Sequence, residues 1–254
     1  MVTVLPHEIH GEGPQRVIAL HGWFSDRSAF RSIRPYLDTT RFSYAFVDFR
    51  GYGAARDLDG EFTMAEAAAD VLTLAGHLGW SEFALLGHSM GGKVAAAVLA
   101  ADTSRVTSVA GISPVPASGV PFDDQSWQLF EGAAENPANR RAIIDLTTGN
   151  RHSGFWLDAM VRHSLDCSTV PAFAAYLQDW ARHDFHESIV GDATPVLAIA
   201  GEHDPALNGD ALRNTWLQWH PNARLEVFSN AGHYAADETP LALVSAVESF
   251  LTTN

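Results

Sequence analysis

Lysine is almost missing from this chain: of 16 basic residues only Lys93 is a lysine, set against 30 carboxylates, and the formal net charge is −14. A balance so acidic disfavours nucleic acid and anionic membrane surfaces as partners and suits a neutral small-molecule substrate. Cysteine is scarcer still, since Cys167 stands alone. No internal disulfide can form, a cysteine-built metal site is excluded, and the lone thiol is expected to be a small buried apolar group. No apolar run approaches the length that spans a bilayer, and Met1–Pro6 carries neither the basic nor the apolar part of an export signal. The expected location is cytoplasmic. Internal repeats and low-complexity tracts are also lacking.

What is present is a regular alternation of short apolar runs and helical patterns. Residues 16–20, 44–48, 83–88 and 106–112 read as strands buried on both faces, each closed by a glycine, proline or polar turn. Residues 2–10 could add a short edge strand, although Pro6 limits pairing there. Between the strands, residues 26–37 place Phe30, Ile33 and Leu37 at helical spacing behind a possible Ser25 or Asp26 cap. Thr63-Met64-Ala65-Glu66 is a capping box that opens a helix running to about Leu78. Strand–helix alternation of this kind implies a mostly parallel sheet covered by helices on both faces.

After Pro114 the rhythm changes. Residues 115–190 hold three or four short helical patterns and no convincing strand, and they are dense in aromatics, among them Phe122, Trp127, Phe130, Trp156 and Trp180. Most of these rings are expected to form the segment's own core, with a few, Trp127 and Trp156 among them, facing a pocket. Strand character returns at 195–200 and 223–228, separated by a helical stretch at 207–219, and Thr239-Pro240 caps and starts a last helix. The predicted organisation is an α/β core of residues 1–114 and 191–254, with about seven to eight strands, and a helical cap inserted at 115–190.

The run Gly87-His88-Ser89-Met90-Gly91 joins a strand to an alanine-rich helix. It matches the G-x-S-x-G elbow, in which a serine is held on a tight turn with its hydroxyl exposed and small neighbours let the backbone pass. Ser89 is therefore the candidate nucleophile. A serine hydroxyl is weak at neutral pH, so it needs a base, and the base needs a carboxylate.

The order of motifs resembles the α/β-hydrolase family across essentially the whole chain. The residues that carry the likeness are His21-Gly22-Trp23-Phe24, Asp48-Phe49-Arg50-Gly51-Tyr52-Gly53, the elbow extended to Gly92, Gly201-Glu202-His203-Asp204 and Asn230-Ala231-Gly232-His233. Ala54 departs from the serine that many relatives carry there. The resemblance implies His233 as base, Asp204 as the acid that orients it, with Glu202 its near neighbour, and the backbone N–H groups of Met90 and Trp23 as oxyanion donors, Phe24 being the alternative. Trp23 and Phe24 could also wall the acyl pocket. His88 is expected to serve structure. His152, His163, His183 and His186 lack the spacing and carboxylates of a zinc site.

These expectations describe a serine hydrolase without metal or cofactor, cleaving a carboxylic ester or lactone of a small, apolar or aromatic substrate through an acyl-enzyme. Perhydrolysis or cofactor-free haloperoxidase chemistry, and carbon–carbon, amide or thioester hydrolysis, use the same triad and stay open. So does a ligand-binding receptor on a hydrolase scaffold. Epoxide hydrolases and dehalogenases are disfavoured, since those resemble this pattern with an aspartate at the position of Ser89.

Overall fold

Strands that are apolar over most of both faces are stable only inside a sheet, and the four central runs lie there. The computed structural model describes residues 3–253. It contains β1 (His7–His10), β2 (Gln15–Leu20), β3 (Phe42–Val47), β4 (Phe83–His88), β5 (Val106–Ile112), β6 (Val196–Gly201) and β7 (Ala223–Phe228). They form one sheet in the order β1-β3-β2-β4-β5-β6-β7. Only β1 runs antiparallel, pairing with β3 from His7 opposite Val47 to His10 opposite Tyr44. The strand that precedes Ser89 is central, with Leu85 opposite Ile18 on one side and Val109 on the other.

Alternation along the strands sorts the core into two layers. Ile18, Leu20, Val47 and Leu85 pack beneath helices α1 (Met64–His77) and α2 (Met90–Asp102), whereas Val17, Ala19, Phe46 and Leu86 face the opposite layer. The four helices between β5 and β6 are α3 (Asp124–Gly132), α4 (Pro137–Thr147), α5 (Gly154–Cys167) and α6 (Val170–Arg182), and they share the first layer. Two buried cations stitch this segment. Arg140 donates to the Ala133 and Ser164 carbonyls, and Lys93 reaches from α2 to the Trp180 carbonyl at 2.9 Å. Burial lowers the Lys93 ammonium to about 8. The chain closes with α7 (Gly209–Arg213), α8 (Trp216–Trp219), α9 (Ala235–Glu238) and α10 (Pro240–Thr253).

Three local expectations are corrected. Residues 26–37 form two 3-10 turns, Arg27–Phe30 and Arg34–Tyr36, rather than one α-helix. Asp26 does cap the first, accepting from the Ser28 N–H at 2.8 Å, while Pro35 withholds the N–H that a continuous helix needs. The helical stretch at 207–219 is broken at Asn214-Thr215, where the Thr215 hydroxyl turns back to the Ala211 carbonyl. The capping box is half reciprocal: Thr63 Oγ1 accepts from Glu66 N–H, but the Glu66 carboxylate takes the Phe62 N–H, one residue earlier than expected. No helix among the described residues is long and apolar enough to cross a membrane.

Candidate active site

The elbow is built as its glycines require. Ser89 sits at φ 54° and ψ −117°, a region that an L-residue with a side chain occupies only at a cost of about 1–3 kcal/mol. Three backbone hydrogen bonds hold it there: its N–H donates to the Ile112 carbonyl, and its carbonyl accepts from Gly92 and Val115. Gly91 is obligatory, because a Cβ at that position would lie 2.2 Å from the Leu20 carbonyl oxygen. Strand β4, the elbow and α2 thus aim Ser89 into a cleft that His233 also lines.

His233 follows β7 and Asp204 follows β6, both at carboxyl ends of parallel strands, where such sheets gather their ligands. His233 Nδ1 lies 2.6 Å from Asp204 Oδ2. The other oxygen, Oδ1, accepts from the Ala206 and Leu207 N–H groups at 3.0 and 3.1 Å. Burial opposes ionisation of Asp204, but His233 and these two donors outweigh it and hold the carboxyl below its usual range. An ionised carboxylate only accepts, so His233 Nδ1 carries a proton and donates it to Asp204. Glu202 is exposed.

His88 holds His233 from behind. Burial, then the neighbouring His233, lowers it to about 3, so the ring is neutral and its Nε2–H donates to the His233 carbonyl at 2.9 Å. The opposing loop is fixed in a similar way. His21 is buried and lowered for that reason; its Nδ1 donates to the Gly22 carbonyl at 2.8 Å while Nε2 accepts the Phe49 N–H. Tyr52, from the loop after β3, donates its hydroxyl to the Trp23 carbonyl at 2.9 Å. Among the described residues the backbone N–H groups of Trp23 and Phe24 have no protein acceptor, and Met90 opens α2, where the first N–H groups have no intrahelical partner. Donors of this kind can meet a developing oxyanion.

The cleft above Ser89 encloses about 60 Å³ and is lined mostly by apolar and aromatic residues, with Ser89, Thr147, Asp204 and His233 the polar ones. Trp23 and Phe24 line it, with Phe122, Phe130 and Trp180 from the inserted segment. Trp23 is itself fixed, stacked on Phe173 at 3.9 Å between centroids and donating Nε1–H to the Phe173 carbonyl. The two other expected pocket residues are placed elsewhere. Trp127 lies beneath the Arg182 guanidinium, 3.5 Å from its ring, beside a separate surface groove. Trp156 packs on His152 and edge-on against Tyr234, outside the cleft lining. Aliphatic walls such as Val115, Ile143 and Leu207 carried no distinguishing signal in the sequence. Each of the four histidines of the inserted segment has a carboxylate neighbour: His152 has Glu238, His163 has Asp26, His183 has Asp179 and His186 has Asp184. Asp26, His163 and Cys167 bring their ligand-type atoms within 4.8 Å of one another, but Asp26 is held by Ser28 and His163, and burial raises the Cys167 thiol.

The pattern of the α/β hydrolase fold family matches residues 15–240, and the chain belongs to the α/β-hydrolase family. It is 26% identical over 249 residues to a putative esterase/lipase of Haemophilus influenzae, covering 94% of this chain and 83% of that one. An sn-1-specific diacylglycerol lipase of Xenopus tropicalis is 34% identical, with 89% of this chain and 75% of the relative covered. An esterase from Exiguobacterium antarcticum has the same fold, with a TM-score of 0.86, 20% identity, and coverage of 97% and 94%.

Proposed function

We propose that the protein is a serine hydrolase that cleaves carboxylic esters of small, apolar substrates through an acyl-enzyme, with residues 115–190 acting as a cap over a core of 1–114 and 191–254. The observation that carries this reading is the pairing of His233 Nδ1 with an ionised Asp204 carboxylate in the same cleft as a serine held at positive φ. Ser89 Oγ attacks the substrate carbonyl carbon as its proton passes to His233 Nε2. Asp204 stabilises the imidazolium, and the Trp23 and Met90 N–H groups receive the oxyanion. The intermediate collapses, the alcohol leaves with the proton from His233, and water repeats the sequence to release the acid. Every group is supplied by the chain, so the scheme needs no metal or cofactor.

The size of the cleft narrows the substrate. One water needs about 10–15 Å³ of such space, so about 60 Å³ admits roughly four to six atoms of that size. A short acyl chain or a small lactone fits; a long acyl chain or a ring-cleavage product needs the cap to move. Short acyl-enzymes also suit peroxide as the acceptor in place of water. Turnover of p-nitrophenyl esters from acetate to octanoate by wild type and Ser89→Ala tests the reading. The expected result is serine-dependent turnover with kcat/KM highest for the shortest chains; full turnover by Ser89→Ala refutes it.

A further inference from the structure

The loop carrying His233 has more external supports than a turn at a sheet edge requires. Its backbone donors can be followed one by one. Ala231 N–H returns to the Phe228 carbonyl within the turn. The next three leave the sheet. Gly232 N–H reaches the Glu238 carboxylate at 3.0 and 2.9 Å, Tyr234 N–H reaches the same group at 3.1 Å, and His233 N–H donates to the Thr147 carbonyl at 3.0 Å.

Glu238 is the last residue of α9, and its side chain is 2% exposed. A buried carboxylate at the carboxyl end of a helix is unfavourable unless it is paired. The partner comes from the turn between α4 and α5: Arg151 Nη1 donates to Oε2 at 3.1 Å, while His152 Nε2 stands at the same distance without making a hydrogen bond. Arg151 also donates to the Asn230 carbonyl at 3.0 Å, at the start of the same loop. The backbones touch, since a Cβ on Gly232 would lie 2.7 Å from Thr148 Cα. Residues 147–152, at the end of α4 and in the turn after it, therefore grip the histidine loop through one carbonyl and one shared carboxylate.

We infer that Glu238 is a positioning residue for His233, and that residues 147–152 close it into a clamp. The inserted helices then do more than wall the cleft, because they set where the base stands. This rests on the reading of His233 as general base. A shift of the base by about 1 Å is enough to cost about 10²-fold in rate.

The experiment compares wild type with Glu238→Ala, Glu238→Gln, Arg151→Met and Ser89→Ala, using a short aryl ester and timed labelling of Ser89 by a fluorophosphonate. Far-UV circular dichroism and thermal midpoints monitor folding. Glu238→Ala is expected to lower kcat about 10²-fold with KM within about threefold, and to slow labelling by the same factor. Glu238→Gln keeps an oxygen for the two amides, so its kcat is expected at least about tenfold above the alanine variant. Arg151→Met, with Glu238 in place, is expected between the two.

A folded Glu238→Ala with kcat within threefold of wild type overturns the clamp, as does a glutamine variant no better than alanine. Should Glu238→Ala fail to fold, Arg151→Met decides, and wild-type kcat there overturns it. Loss of activity in Ser89→Ala beside full activity in Glu238→Ala rejects the clamp alone. Undiminished activity in Ser89→Ala rejects the hydrolase reading itself.

Discussion

Tyr52→Phe separates the two candidate oxyanion donors of the loop after β2. The Tyr52 hydroxyl is buried, burial keeps it protonated, and it is the side-chain donor to the Trp23 carbonyl. That carbonyl belongs to the same peptide unit as the Phe24 N–H. The Trp23 N–H belongs to the preceding unit, whose Gly22 carbonyl is anchored by His21 Nδ1 and by the Ser25 N–H at 3.3 Å. Removing the hydroxyl leaves a buried acceptor without its donor, at a cost of about 1–3 kcal/mol. In a protein of this size that lowers the thermal midpoint by about 2–12 °C. The unit bearing the Trp23 N–H keeps both anchors, so kcat on a short aryl ester should fall by less than about tenfold. Loss of a true oxyanion donor costs about 10²–10³ in kcat. A kcat loss of that size with KM unchanged would refute the assignment to Trp23 and transfer the role to Phe24.

Asp204→Asn should lower kcat by about 10⁴ with the fold intact, because an amide cannot hold the proton on His233 Nδ1 while stabilising the imidazolium; near-normal steady-state rates would place the acid elsewhere. Acid should weaken the fold before the carboxylates titrate. His21 and His88 are kept neutral by burial, His88 down to about 3, whereas both take up a proton near the ordinary histidine value once unfolded. Their contribution is complete above about pH 6.5 and is lost as pH falls toward the folded values, at about 1.4 kcal/mol per unit for each. Urea unfolding at pH 5 and pH 7 reads this directly: the expected loss from His88 is about 2 kcal/mol, His21 adds a loss of the same sign, the total is smaller in His88→Gln, and a flat profile contradicts it.

Much of the frame was legible because its signals are local. β2 to β5 are largely apolar runs, with Arg16 at the start of β2 their one arginine or lysine, closed by turn residues, and their alternation with helices admits a parallel sheet and little else. Once that sheet is granted, Ser89, Asp204 and His233 must share one edge. Signals that depend on distant partners stayed hidden. Tyr52 and Trp23 are 29 residues apart, and Glu238 meets Arg151 across 87. Nothing beside either residue marks the contact. Aromatic density at 115–190 did not say which rings line the cleft, since composition does not say which side of a helix faces it. Trp127 went to Arg182 and Trp156 to His152, while Phe130 and Trp180 reached the site. The stretch 26–37 had helical spacing, yet Pro35 and the Asp26 cap favoured two short turns.

The central claim is that Ser89, made nucleophilic by His233 and Asp204, carries the reaction. Intact-mass and peptide-level mass spectrometry after exposure to a fluorophosphonate tests it most directly. The account predicts a single adduct per chain, located on Ser89, formed in step with loss of ester turnover and far more slowly in His233→Ala. An enzyme that keeps its turnover while Ser89 is fully modified, or an adduct formed equally fast without His233, would contradict it.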